Sequence, residues 1–329
     1  MTDQTIRKQN DLPDLSCLVE ANAPTPLLPV RLGTDAPLIW CKLEYLNPSG
    51  STKDRIASYI LSKAWREGRI GPDSIICEAS SGSTSIAMAM VCAQMGLRFI
   101  AVLPEGVSNE RVKMIRAYGG TVRFSPKSEG MPGCIEKTRE IAETEGAFLT
   151  RQFENQDNAD AHRLGTAKEV VSQIPGRSVD AVVSGVGTGG TLVGLHAGLC
   201  DAGCAVTPVL ARPVHIEGQA DYEHGCFGHG ESCSFSTCVP GVMDNQSKIF
   251  DAARHPDLLT IEVEEENALE TARRLIRSGF AVGVSSGLNY AAAVEAASIL
   301  ENAKKIVTVF PDRMERYFST GLFADSSQT

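Results

Sequence analysis

The sequence predicts an α/β protein with mainly parallel sheets covered on both faces by helices. Short β-branched runs alternate with longer helical patterns along most of the chain, and parallel strands need such crossover connections. Glycine- and hydroxyl-rich stretches fall where strand patterns give way to helix patterns, the place where open parallel sheets bind ligands. A chain of 329 residues is long enough for two modest domains. At that length about three quarters of the unfolded surface can be buried, so no disulfide or metal staple is needed.

The elements follow in order. Ile39–Tyr45 is an apolar run that ends before Asn47-Pro48-Ser49-Gly50 and predicts the first strand, and Lys53–Glu67 the first helix. The strand Ser74–Glu78 leads into the helix Thr84–Met95, Phe99–Leu103 into Asn109–Tyr118, and Thr121–Phe124 into Cys134–Glu145. A further helix is expected over Ala159–Gln173. The strand Ala181–Ser184 precedes the helix Thr191–Ala202, and Leu259–Val263 precedes Glu264–Ser278. The helix Leu288–Ala303 and the strand Ile306–Phe310 complete the pattern. The uncharged stretch between Asp180 and Asp201 contains six glycines, so it reads as strand, glycine loop and helix rather than as a membrane span.

Composition narrows the function classes. The 43% hydrophobic and 22% charged residues are those of a soluble globular protein. Basic residues number 31 and acidic ones 40, a net charge of −9 that argues against a nucleic-acid or anionic-membrane partner. The N-terminal MTDQTIRKQNDLPD lacks the apolar core of a signal peptide. Ten cysteines are therefore read as reduced thiols of a cytoplasmic protein.

Four strand-to-helix junctions carry chemistry. In Asn47–Arg55, Ser51 or Thr52 can cap the helix and place Lys53 in its first turn, where the helix dipole lowers the pKa of the amine. A neutral amine forms a Schiff base with an aldehyde, although a lysine taken alone is more often a solvated surface group. In Glu78–Ser85, the hydroxyls of Ser80, Ser81, Ser83 and Thr84 around Gly82 make an anion site suited to a carboxylate, or an over-provided helix cap. In Ser184–Thr191, the glycines of Gly187-Thr188-Gly189-Gly190-Thr191 let the backbone wrap a phosphate at a helix N-terminus, or make a structural turn. This stretch has neither the Walker Gly-Lys-Ser/Thr nor the dinucleotide G-x-G-x-x-G. In Val284–Gly287, a serine hydroxyl is placed to bind a ring nitrogen or to cap a helix.

An amine, a carboxylate cradle, a phosphate cradle and a hydroxyl at successive strand ends are what pyridoxal phosphate bound to an amino acid requires. On these motifs, with Gln152-Phe153-Glu154-Asn155, Phe310-Pro311-Asp312 and Glu315-Arg316-Tyr317, the sequence resembles the β-family (fold type II) of pyridoxal-phosphate enzymes. Within it the chain is similar to cysteine synthase and the cystathionine β-synthase core, over roughly residues 25–323. The resemblance implies two three-layer α/β domains of the tryptophan synthase β-subunit type. Residues 48–156 would form a smaller mobile domain on the substrate-carboxylate side, and residues 1–47 with 157–325 a larger one. It implies Lys53 as the Schiff-base lysine that also moves the Cα proton. Ser80, Ser81, Gly82 and Thr84 with Gln152 would grip the substrate carboxylate, and Gly187 to Thr191 the phosphate. Ser83 would sit at the cofactor, and Ser285 would bind the pyridine nitrogen. A serine there leaves that nitrogen largely unprotonated and favours expulsion of a group from Cβ.

The implied reaction is β-replacement on O-acetylserine, O-phosphoserine or serine by a thiol or sulfide through an α-aminoacrylate, carried out by a homodimer. The alternatives are β-elimination, of the cysteine desulfhydrase or serine dehydratase type, and a catalytically silent homologue acting as sensor or partner. Three departures bear on this choice. Ser83 stands where cysteine synthases carry Asn, a version closer to cysteine desulfhydrases. Ala167-Lys168 replaces Gly-Pro, and Arg313-Met314 replaces a small pair. Arg313 and Arg212 are candidate readers of an anionic substrate group, or members of surface ion pairs.

The segment from Ala211 to Asn245 does not fit the family. It gathers His215, His224, Cys226, His229, Cys233 and Cys238. With irregular spacing and no C-x-x-C, no metal is expected; His224, Cys226, His229, Cys233 and Cys238 are the candidate ligands should one bind. A Cys233–Cys238 redox pair, or a loop closing over the substrate, are the other readings.

Overall fold

A computed structural model describes residues 12–13, 23–214 and 247–323. Among the described residues ten strands form two sheets: β1 Leu27–Val30, β2 Ile39–Lys42, β3 Ile75–Ala79, β4 Arg98–Pro104, β5 Thr121–Ser125, β6 Phe148–Leu149, β7 Ala181–Gly185, β8 Thr207–Val214, β9 Leu259–Glu264 and β10 Ile306–Val309. The six-stranded sheet has the order β1-β2-β10-β7-β8-β9, and the four-stranded sheet β5-β4-β3-β6. Among these described strands only the β1–β2 pair is antiparallel; the other pairs are parallel, as the strand–helix alternation predicts. The helices are α1 Lys53–Arg66, α2 Ser83–Met95, α3 Asn109–Ala117, α4 Gly130–Glu145, α5 Asp157–Ala161, α6 Ala167–Gln173, α7 Gly190–Asp201, α8 Glu265–Arg277 and α9 Val284–Ile299.

Each sheet is the middle of three layers. On the four-stranded sheet, Ile76, Phe99 and Ala101 pack with α1, α2 and α3, while Cys77, Ile100 and Val102 pack with Met131, Cys134 and Ile141 of α4. Strand β3 is buried along its whole length, as expected of a parallel strand covered on both faces. On the six-stranded sheet, Ile39, Cys41 and Val183 face α8 and α9, and Val182, Val307 and Val309 face α6 and α7. Each fully buried aliphatic chain contributes about 1.5–3 kcal/mol of transfer free energy.

A buried charge network ties α1 to the large sheet. Arg55 donates Nε to Glu44 Oε2 at 2.8 Å and Nη2 to Glu44 Oε1 at 2.8 Å, and both of its terminal nitrogens reach Glu169. The Nζ of Lys42 donates to Glu169 Oε2 at 2.6 Å, and Thr25 Oγ1 donates to Glu44 Oε1 at 2.6 Å. Burial alone would raise the Glu44 pKa, but the Arg55 guanidinium overrides it and holds the carboxyl at about 2. The start of α1, and with it Lys53, is thereby fixed against β2 and α6.

The structure corrects several expected elements. The first strand ends at Lys42 because Glu44–Leu46 turns into a 3-10 helix. The helix expected over 159–173 begins at Asp157 and is interrupted by a π turn over His162–Thr166. Helix α4 starts four residues early, and α9 already begins at Val284. Strands β1 and β8 were hidden by their prolines, Pro29, Pro208 and Pro213, and β6 by its two-residue length. No helix among the described residues is long and apolar enough to cross a membrane. The Cys/His group from His215 to Cys238 lies outside the described residues.

Candidate functional site

The carboxyl ends of β2, β3, β7 and β10 open on one cleft. Lys53, Ser80, Ser81, Ser83, Thr84, Gln152, Gly187, Thr188, Gly189, Thr191 and Ser285 all line it. Gly82 and Gly190 belong to the same two stretches of chain.

Lys53 is the first residue of α1. Its backbone N–H donates to Ser51 Oγ at 3.3 Å, whereas Thr52, at the cap position, makes no capping bond through its side chain. The loop before it is clamped: Asp54 Oδ2 accepts from Ser49 N at 2.6 Å, and Arg316 donates to Gly50 O at 2.9 Å and Ser49 O at 2.6 Å. Burial lowers the Lys53 pKa to about 8, opposed by the charges of Asp312 and Glu78. The direction is the expected one, but desolvation is its main cause. Glu78 is itself pushed up to about 7 by burial, against hydrogen bonds from Thr150, Gln152 N–H and Ala79 N–H.

The second loop is organised by Ser80, whose Oγ accepts from Gly82 N at 3.1 Å and Ser85 N at 3.3 Å. The first-turn N–H groups of Ser83 and Thr84 have no partner inside α2, and both residues line the cleft. Gly82 has φ 139°, and a Cβ there would lie 2.4 Å from Arg111 Cδ, so only glycine fits. Thr84 Oγ1 donates to Gln152 Oε1 at 2.6 Å, and Gln152 Nε2 donates to Ala79 O at 2.6 Å, which fixes the amide against the loop.

The third loop precedes α7. Asn158 Nδ2 donates to Thr188 Oγ1 at 2.9 Å and to Gln152 O at 2.8 Å, joining the second and third loops. Thr188 Oγ1 thus acts as acceptor in this bond, and its own hydrogen remains to be donated. His162, fully buried and held neutral with its pKa near 3 by desolvation, lies 3.3 Å from Thr191 Oγ1 through Nε2. Gly185 N donates to Asn289 Oδ1 at 2.7 Å, which secures this loop to α9. Ser285 sits in the first turn of α9, inside the helix and not before it.

Asn158, His162, Arg316 and Asp312 were not singled out from the sequence. His162 lies within a helical pattern and Asn158 just before it, and both act on residues about 30 positions away. Asp312 and Arg316 stand in motifs noted only as family matches. The two arginines proposed as anion readers do not line the cleft. Arg212 pairs across strands with Glu262 and is exposed, and Arg313 Nε lies 3.6 Å from Glu315 Oε1. Among the described residues no group of three His, Cys, Asp or Glu side chains is arranged to hold a metal.

Residues 18–312 match the family described as "Pyridoxal-phosphate dependent enzyme". The chain is 37% identical over 306 residues to the cysteine synthase of Staphylococcus aureus (strain Mu50), covering 91% of this chain and 94% of that protein. Among solved structures it is similar to an O-ureido-L-serine synthase, with a TM-score of 0.81, 33% identity and coverage of 95% and 96%. It is also similar to the O-acetylserine dependent cystathionine β-synthase of Helicobacter pylori, with a TM-score of 0.80, 32% identity and coverage of 93% and 98%.

Proposed function

Since the chain belongs to the family of pyridoxal-phosphate dependent enzymes, we propose that it catalyses β-replacement on a serine-type amino acid, O-acetylserine foremost, with sulfide or a thiol as nucleophile. The observation that carries this reading is the meeting of Lys53, the Ser80–Thr84 loop, the Gly187–Thr191 loop and Ser285 in one cleft.

The residues present fit the cofactor. A Cβ at Gly189 would lie 2.4 Å from Phe250 Cβ, and one at Gly190 1.9 Å from Asn158 Oδ1, so the loop backbone can follow an anion only with glycine at both positions. Thr188 presents a hydroxyl hydrogen there. In the cleft wall, Thr52 Oγ1 is buried without a partner among the described residues, a polar atom suited to a polar guest. Pyridoxal phosphate, when bound, supplies the electron sink that lets a proton leave Cα and a group leave Cβ of an amino acid.

In this reading the chain's own residues do the following. Gly187, Thr188, Gly189, Gly190 and Thr191 hold the phosphate with backbone N–H groups and two hydroxyls. Ser285 would hold the ring nitrogen, and Ser83 would contact the cofactor. Ser80, Ser81, Gly82 and Thr84, with Gln152 behind them, grip the substrate carboxylate. Lys53 carries the cofactor and moves the proton at Cα; its lowered pKa keeps a usable fraction neutral near pH 7. Residues 48–156 act as the smaller mobile unit, and residues 1–47 with 157–325 as the larger. The family resemblance supports a homodimer. The six described cysteines are free thiols, which fits a cytoplasmic setting.

The curated cysteine synthases among the relatives favour replacement over elimination. The test is a spectral titration of the holoenzyme with O-acetylserine, O-phosphoserine, serine and cysteine, followed by sulfide. The expected result is sulfide-dependent formation of cysteine from O-acetylserine. Pyruvate and ammonia released at the same rate with or without sulfide would overturn it.

A further inference from the structure

Residues 311–313 run between the loop that carries Lys53 and the turn that leads to Ser285. Thr52 N donates to Pro311 O at 2.7 Å, Arg313 N to Gly50 O at 3.1 Å, and Gly283 N to Asp312 O at 2.9 Å. Asp312 pairs with Ser51, and Arg313 with Val282, as isolated antiparallel bridges. The Asp312 backbone is thus held from both sides. Its side chain lines the cleft and is 7% exposed.

The two carboxylate oxygens differ. Oδ2 accepts from Tyr317 Oη at 2.7 Å, and Ser83 Oγ lies 3.4 Å from it. Oδ1 is buried, and no donor among the described residues reaches it. Gly283 makes room for it, since a Cβ there would lie 2.4 Å from Oδ1. A buried carboxylate oxygen without a donor is costly, so a residue anchored this firmly with one oxygen left over is set for a donor that arrives with a ligand.

We propose that Asp312 receives the α-ammonium group of the amino-acid donor. This rests on the reading of the site given above. An amino acid enters as a zwitterion, and its ammonium is bonded to the carbon that bears the carboxylate. With the carboxylate in the Ser80–Thr84 loop, the ammonium lies within a few bonds of that loop. Ser83 of the same loop is already beside Asp312, and Lys53, which the donor nitrogen must approach, lines the same cleft. An ammonium offers three hydrogens and a full positive charge, matching an anionic acceptor with an open lone pair. Asp312 therefore selects amino acids over simple carboxylates and turns their nitrogen toward Lys53.

The test compares two probes that differ only in that group, L-alanine and propionate, neither of which has a leaving group at Cβ. Binding to the cofactor-loaded enzyme is measured by calorimetry for the wild type, Asp312→Asn and Asp312→Ser. The visible cofactor band and the melting temperature of each protein are recorded alongside. The expected result is a loss of tenfold or more in L-alanine affinity in a variant that keeps its cofactor band, with propionate affinity within twofold of wild type. An equal loss for both probes in both variants would reduce Asp312 to a structural part and overturn the proposal, as would unchanged L-alanine affinity. A wild-type protein that shows no cofactor band and binds neither probe would instead overturn the underlying reading of the site.

Discussion

Replacing Gly190 by alanine introduces one methyl group at the most crowded point of the glycine loop. Its Cβ would stand 1.9 Å from Asn158 Oδ1, 2.5 Å from Asn158 Cγ and 3.2 Å from the Asn158 carbonyl carbon. Asn158 is fully buried, and its Nδ2 is committed to Gln152 O and Thr188 Oγ1, so the amide cannot turn aside without breaking both bonds. Overpacking of this kind costs about 1–3 kcal/mol. Two lost hydrogen bonds add about 1 kcal/mol each. The expected total is about 3–5 kcal/mol, or roughly two orders of magnitude or more in an equilibrium constant. It should appear as a weaker Kd for pyridoxal phosphate in a spectral titration and as a Tm lowered by about 4–7 °C. Gly71→Ala is the control, because nothing lies within 4 Å of a Cβ there. If Gly190→Ala binds the cofactor within twofold of wild type and melts with the control, the packing argument for this loop is wrong.

Three further outcomes are expected. Lys53→Ala should show no visible cofactor band and no turnover; a persisting band would assign the Schiff base to another lysine. In the cofactor-free protein, capture of pyridoxal phosphate requires the neutral amine of Lys53, whose pKa is lowered to about 8. The capture rate in stopped-flow absorbance should therefore rise about tenfold per pH unit below that value and level off above it; a rise continuing to pH 10 would refute the burial of this amine. Glu44→Gln leaves Arg55 without its paired carboxylate in the interior and should cost about 3–5 kcal/mol at pH 7. Because the folded pKa of Glu44 is depressed to about 2, the stability it supplies is present above its ordinary 4.5 and is lost as the pH falls toward 2. Denaturant titrations of wild type and variant should converge over that interval.

The site was legible in the sequence to the extent that its chemistry is local. The Ser80–Thr84 and Gly187–Thr191 loops, and Lys53 at a helix start, are short stretches whose residue types announce a strand end turning into a helix N-terminus. What escaped depends on pairs far apart in the chain. Asn158 matters because it meets Thr188, and Asp312 because it meets Ser83, 229 positions earlier. The same holds for the fold. Lys42 and Glu44 read as part of an apolar strand run, and nothing nearby shows that Glu169 and Arg55 will neutralise them. Strand β8 sits between β7 and β9 despite two prolines, so tertiary pairing overrode a local signal that argued for a loop.

The clamp of Arg316 on the Ser49 and Gly50 carbonyls spans 266 residues of chain to Gly50. Synthesis at about 5–20 residues per second separates the two ends by roughly 13–53 s. Throughout that interval the nascent polypeptide carries Lys53 without the arginine that holds its loop in place, and without the Pro311 carbonyl that accepts from Thr52 N. A nascent chain that stops short of Pro311 therefore lacks part of the cleft wall. The cleft takes its shape only once residues 311–316 have been made.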